Sequence, residues 1–162
     1  MSRSDIIQLI FIVLFLINLI WATRKDWYAM FIICMPFNVA KFMMRTPELV
    51  SWVMSKIPYA SDKTVYGEAE HWATPQEFWD HKSGDCEDYA GFAIGILKDY
   101  DYQGNIYTYT VDPVKGIGHA LGVVSKDLRN WYVFDLNEVT LVRADNWQAA
   151  GDWYVANVSR LV

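Results

Sequence analysis

The chain has 162 residues, 53% hydrophobic and 16% aromatic, with a formal net charge of −5. That is room for one modest domain and an accessory segment, and the apolar content excludes a disordered chain. Residues 1–59 carry six Lys/Arg against three Asp/Glu and residues 60–162 eight against sixteen, so the two parts stand at +3 and −8. The acidic part has no basic cluster, which argues against nucleic acid as a partner. Two cysteines make no disulfide framework. Cys34 lies in an apolar run and Cys86 in a polar word, so they are not expected to pair.

Ile6 to Trp21 is almost unbroken apolar sequence, with only Gln8 and Asn18 polar and no charge. It falls just short of the roughly 20 residues that span a bilayer. A membrane anchor, a secretory signal and a buried core helix compete for it. Ile20 stands where a signal cleavage site wants a small residue before Ala22, and soluble proteins seldom hide so uniform a helix. The expectation is therefore an anchor. Trp27 to Met44 is a second apolar stretch, broken by Pro36, Asn38 and Lys41; Pro36 kinks or ends a helix. It reads as an imperfect second span or an interfacial helix, since Trp27, Tyr28 and the neighbouring Lys/Arg suit an interface. Basic residues flank both stretches alike, so orientation is not readable.

Thr46-Pro47-Glu48 opens a short helix, with Thr46 as N-cap and Pro47 in its first position. Leu49, Val50, Val53, Met54 and Ile57 share one face, and Pro58 ends it. Residues 59–70 read as a linker or loop. The expected division is an apolar helical accessory segment over 1–58 and a second domain over 59–162. Thr74-Pro75-Gln76-Glu77 has the capping-box pattern and starts a helix to about His81. Trp72 before it either lines a cleft or packs as a staple.

Lys82-Ser83-Gly84 turns into Asp85-Cys86-Glu87-Asp88, the start of a helix running to about Lys98-Asp99. Asp85 suits the N-cap and Glu87 and Asp88 the first turn. Gly91 and Gly95 share a face and each costs about 1 kcal/mol in a helix interior relative to Ala. We expect the backbone of the sheet to approach them. Beyond Gly104 the period changes to that of strands: 105–111, then His119–Val124 and Trp131–Leu136 around a hairpin loop at Ser125–Asn130, and Trp153–Val158 as a final strand. The fold class is α+β, a central helix packed on an antiparallel sheet of four or more strands.

Cys86 is thus expected at a helix N-terminus, where unpaired N–H groups favour a thiolate. A thiol nucleophile needs a base, and the base an orienting group. His119 and Asp135 supply them from the two strands of one hairpin, at similar distances from its loop. His71 and His81 are rival bases, but neither has a carboxylate downstream on a neighbouring strand. Asp85, Glu87 and Asp88 oppose this chemistry, because carboxylates facing a thiol raise its pKa. Either they point away and cap the helix, the simpler reading, or a cation neutralises them.

The words Trp72-Ala73-Thr74-Pro75-Gln76-Glu77, Gly84-Asp85-Cys86-Glu87-Asp88-Tyr89-Ala90, His119-Ala120-Leu121 and Trp131-Tyr132-Val133-Phe134-Asp135 stand in that order within residues 65–140. Together they resemble bacterial transglutaminase-like cysteine proteases, in the papain-like transglutaminase superfamily. That family often follows its aspartate with Asn, where Leu136 and Asn137 stand here. The resemblance implies a papain/transglutaminase-like core and a Cys86–His119–Asp135 triad. It further implies a cysteine peptidase or amidohydrolase that works through a thioester acyl-enzyme, with acyl transfer and deamidation sharing that intermediate. No cofactor is required and no metal ligand is assigned. Calcium is admitted, because the resembling relatives include calcium-dependent proteases with acidic ligands beside the cysteine. The expected partners are a protein or peptide substrate and, through the apolar N-terminus, a membrane. The expected location is membrane-associated, extracytoplasmic by preference, or a virion. The competing reading is a non-catalytic transglutaminase-like module, such as a phage or mobile-element particle component with a membrane-active N-terminus.

Overall fold

The structure, a computed structural model, describes residues 27–159. The apolar run Ile6 to Trp21 lies outside the described residues. Residues 27–33 are helical (α1), and Pro36 precedes α2 (Phe37–Met43). Within the second apolar stretch, Pro36 separates the helical residues 27–33 from α2. Among the described residues no helix is long and apolar enough to cross a membrane. From Pro36 onward the described chain is one compact unit.

That unit is α+β. Helix α3 (Pro47–Met54) starts on Thr46, whose side chain accepts the Leu49 N–H, and buries Val50, Val53 and Met54. After the single turn α4 (Asp62–Val65), helix α5 (Pro75–His81) begins with the expected capping box. The Thr74 N–H donates to Glu77 at 2.8 Å and the Glu77 N–H to Thr74 at 3.3 Å. It stops at Lys82, in the left-handed region at φ 54°. Helix α6 (Cys86–Lys98) buries Tyr89, Ala90, Phe92, Ala93, Ile96 and Leu97. Four strands follow, β1 (Gln103–Asp112), β2 (Ile117–Ser125), β3 (Asn130–Asp135) and β4 (Glu138–Arg143), antiparallel and in the order β1-β2-β3-β4. Helix α7 (Trp147–Asn157) closes the unit.

Strand alternation gives the sheet two faces, and a helix covers each. Leu121, Val123, Trp131, Val133 and Val142 pack with Ala150 and Tyr154 of α7. On the other face Gly122 and Gly104 receive α6, at Ala90 and Ile94 respectively. A second aromatic core lies between α6, α5 and α2. Phe92 stacks on Trp79 at 5.8 Å and 6° and meets Phe78 at 4.8 Å, with Phe37 against both Trp79 and Phe92.

Three expectations need correction. Trp153–Val158 is not a strand. The Asn146 side chain accepts the Ala149 N–H and starts a helix there, whose buried residues Ala150, Gly151 and Tyr154 fall at helical spacing. The fourth strand is Glu138–Arg143, paired with β3 across a tight turn. The close neighbour of Gly95 is the ring of Pro75 at the start of α5, not the sheet, and Gly91 meets only the Ala73 carbonyl at 3.9 Å. Residues 59–66 do not run free: Tyr59 bridges Gly84, and the Ala60 N–H donates to the Gly84 carbonyl at 2.9 Å.

The sheet's tight approach to α6 is at Gly122, where a Cβ would stand 3.1 Å from the Ala90 carbonyl oxygen and 3.3 Å from its Cα. Backbone cannot yield as a side chain can, so Gly122→Ala should destabilise the fold by about 1–3 kcal/mol. Gly91→Ala, with room for its methyl, should stabilise it by up to about 1 kcal/mol. Denaturant unfolding of the two variants checks the opposite signs.

Candidate active site

The turn into α6 is built for close approach. A Cβ at Gly84 would stand 2.5 Å from Asp88 Oδ2 and 2.9 Å from a ring carbon of Phe78. Asp85 is the N-cap residue, with extended backbone, and Cys86 is the first residue of α6. Asp88 is fully buried. It accepts from the Ala73 N–H at 2.9 Å, the Asp85 N–H at 3.4 Å and the Tyr66 hydroxyl at 3.4 Å. That carboxylate therefore fastens the chain before α5 to the start of α6, an extended form of the expected capping.

The partners come from the hairpin. Pairing of β2 with β3 runs from Val124↔Tyr132 to Gly122↔Phe134 and goes no further. Continuing that register sets Asp135 beside Leu121, so His119 and Asp135 share a face as diagonal neighbours. His119 Nε2 and Asp135 Oδ1 are 2.7 Å apart, with both side chains largely buried. A carboxylate there accepts a proton from Nε2, which leaves the Nδ1 lone pair as the basic site of the ring. The other oxygen of Asp135 accepts from the Tyr154 hydroxyl of α7 at 3.1 Å. The Cys86 sulfur lies against the backbone N–H of Ala120, the residue after His119. The rival histidines are engaged elsewhere: the Tyr66 ring lies 4.1 Å from His71 and 5.0 Å from His81.

The structure thus has a thiol at a helix start and a histidine–carboxylate pair on an antiparallel sheet. A family model described as a transglutaminase-like domain (DUF553) matches residues 32–159. The chain belongs to this family. No curated protein matches the chain.

Within this transglutaminase-like domain the charge around the thiol runs against expectation. Cys86 donates to Glu87 Oε2 at 3.1 Å. Burial first, and then this bond, push the thiol up to about 12, and the Ala120 N–H offsets only part of that. The helix N-terminus alone predicts a lowered value; desolvation and an adjacent carboxylate outweigh it. Asp85 is likewise raised, to about 8, by burial and by its hydrogen bond with Glu87.

The carboxylates also gather in a way the sequence does not announce. Side-chain oxygens of Asp62, Asp85 and Asp88 lie within 4.8 Å of one another, as do those of Asp62, Glu70 and Glu87. Asp62 is 2% exposed. One buried oxygen of Asp62 and one of Asp85 have no hydrogen-bond partner. Oxygen donors of this kind suit a hard cation such as calcium. Asp62 and Glu70 fall in the stretch read as a linker, where no motif marks them. Trp72 is 59% exposed, so it is not a core residue.

The Cys86–Glu87 bond makes a direct prediction. With a metal chelator present at neutral pH, iodoacetamide should modify Cys86 more slowly than the exposed Cys34. The Cys86 rate should rise about tenfold per pH unit into the alkaline range, because the thiolate fraction does. Glu87→Gln removes the charge that holds the proton and should raise the rate at each pH. A Cys86 rate already at a plateau near neutral pH would refute this account.

Proposed function

We propose that the protein is a cysteine hydrolase, a peptidase or amidohydrolase, with Cys86 as nucleophile, His119 as general base and then acid, and Asp135 as the group that orients it. The observation that carries this reading is the 2.7 Å contact of His119 with Asp135 beside the sulfur-bearing start of α6. In the first half-reaction Nδ1 of His119 takes the thiol proton and the sulfur bonds to the substrate carbonyl carbon. The tetrahedral oxyanion has the Cys86 N–H, free at the first helical position, as one donor; such donors contribute about 3–4 kcal/mol. As the C–N bond breaks, His119 returns its proton to the leaving amine and a thioester remains. Water, deprotonated by His119, then releases the carboxylic acid and restores the thiol. Asp135 holds the proton on Nε2 and stabilises the imidazolium. An amine in place of water would give acyl transfer by the same steps.

Calcium belongs to this proposal as an activator. The residues that would hold it are Asp62 with either Asp85 and Asp88 or Glu70 and Glu87, and the unpartnered buried oxygens of Asp62 and Asp85 fit a hard cation. Bound there, it would supply positive charge beside Glu87, the carboxylate to which Cys86 donates. Membrane association through Ile6 to Trp21 is also proposed, on the apolar length of that run alone.

A second reading has its own support. A thiol held protonated by Glu87 suits a transglutaminase-like module that binds without turnover. Labelling separates the two. For the hydrolase, added calcium should make Cys86 react faster than Cys34, and His119→Ala should slow Cys86 by about 10²-fold or more. Slow Cys86 labelling in calcium and in Glu87→Gln alike, indifferent to His119→Ala, would favour the binding module.

A further inference from the structure

We infer that Tyr154, on α7, is a positioning residue for the Asp135–His119 pair. The inference rests on the hydrolase reading above. Asp135 ends β3 and has two anchors: Oδ1 meets His119 Nε2 at 2.7 Å, and Oδ2 accepts from the Tyr154 hydroxyl at 3.1 Å. A carboxylate held at one oxygen still turns about its last torsion, a broad and soft one. Held at both, it presents a fixed lone pair to the imidazole and fixes which nitrogen carries the proton.

Tyr154 suits that task. It is 2% exposed, so its ring is clamped by Leu121, Val133 and their neighbours, and a buried hydroxyl requires a partner. Burial and the Asp135 carboxylate both push its pKa up, so it stays protonated and donates. The helix that carries it is itself fastened around the histidine. Gly151 admits the Tyr107 ring where any Cβ would collide, and the Tyr107 hydroxyl donates to Asp152 at 2.5 Å. Tyr109, whose ring meets His119 edge-on at 5.6 Å, is hydrogen-bonded through its hydroxyl to Ser159 at 2.8 Å. The final helix thus orients a base that lies on the sheet.

The test compares Tyr154→Phe with Asp152→Asn in the full chain. Tyr154→Phe keeps the ring and removes the donor, whereas Asp152→Asn alters another tie of the same helix. In Tyr154→Phe the calcium-activated iodoacetamide rate at Cys86 should fall about tenfold, the size expected for one lost hydrogen bond to a charged group. Nitrogen-15 NMR of His119 should show less of the Nε2–H tautomer. Asp152→Asn, which loosens the helix without removing a donor to Asp135, should change both far less than Tyr154→Phe. Tyr154→Phe with wild-type tautomer and rate would overturn the inference, as would an equal effect from Asp152→Asn. A measurement that needs no change at position 154 guards against misfolding. The Tyr154 hydroxyl proton of the wild-type protein should be protected from exchange and should move in Asp135→Asn; a freely exchanging proton refutes the contact. Failure of the hydrolase reading looks different: the wild-type Cys86 rate would then ignore His119→Ala, while the tautomer comparison would still stand.

Discussion

The contact of Ala90 on α6 with Gly122 on β2 decides where the sulfur falls. Going back four residues along the helix from Ala90 reaches Cys86, a rise of about 6 Å. Going back two residues along the strand from Gly122 reaches Ala120, about 6.6 Å. The two rises nearly match, so a helix seated at Gly122 and running alongside β2 delivers its first residue to the amide after His119, where the sulfur is found. The pairing of β3 with β2 has ended by that point. The helix start reaches the strand start because one glycine lets backbone approach backbone.

That placement brings a conflict between two electrostatic effects, and magnitude decides it. The partial charge at a helix N-terminus favours an anion by about 0.3–1 kcal/mol at an ordinary site, less than one pKa unit. Against it stand burial of the thiol and a hydrogen-bonded carboxylate one residue away, which together carry the value from 9.0 to about 12. Desolvation and like-charge effects reach several units in partly buried sites, so the helix terminus loses. Position at a helix start is therefore no sufficient sign of a reactive cysteine. Of the acidic residues that mark the motif in the sequence, Glu87 and Asp85 add to burial in raising the thiol's proton affinity.

Where a signal is local, the residues announce the structure. The Thr74–Glu77 capping box, the Thr46-Pro47 helix start, the start of α6 at Cys86 and the hairpin from His119 to Asp135 all follow from neighbours within a few positions. The Cys86, His119 and Asp135 words resemble a family to which the chain does belong. Where the deciding contact is remote, reading fails. Trp153–Val158 has β-branched and aromatic character but is wound by the Asn146 cap and by its face on β2 and β3. Gly95 answers to Pro75, twenty residues earlier, rather than to the sheet. Asp62 looks like linker composition and is a buried member of the acidic cluster. Tyr154 reaches Asp135 from a helix whose start is set by Asn146, eight residues earlier, which the strand-like composition of 153–158 does not announce.

The two kinds of carboxylate at the site are not equivalent, and the difference assigns control to one of them. Asp88 accepts from two backbone N–H groups and a tyrosine hydroxyl in a fully buried position. Each donor left unsatisfied there would cost about 1–3 kcal/mol, so its acceptor oxygens are a condition of holding residues 66–73 against α6. Glu87, by contrast, has the side chains of Cys86 and Asp85 as its partners among the described residues. It can turn away without breaking the backbone's hydrogen bonds. Lowering the thiol's proton affinity through Asp88 would dismantle the site, whereas doing so through Glu87 would not. Any regulation of this cysteine by charge, whether by a cation or by a substrate's own basic group, should therefore act at Glu87.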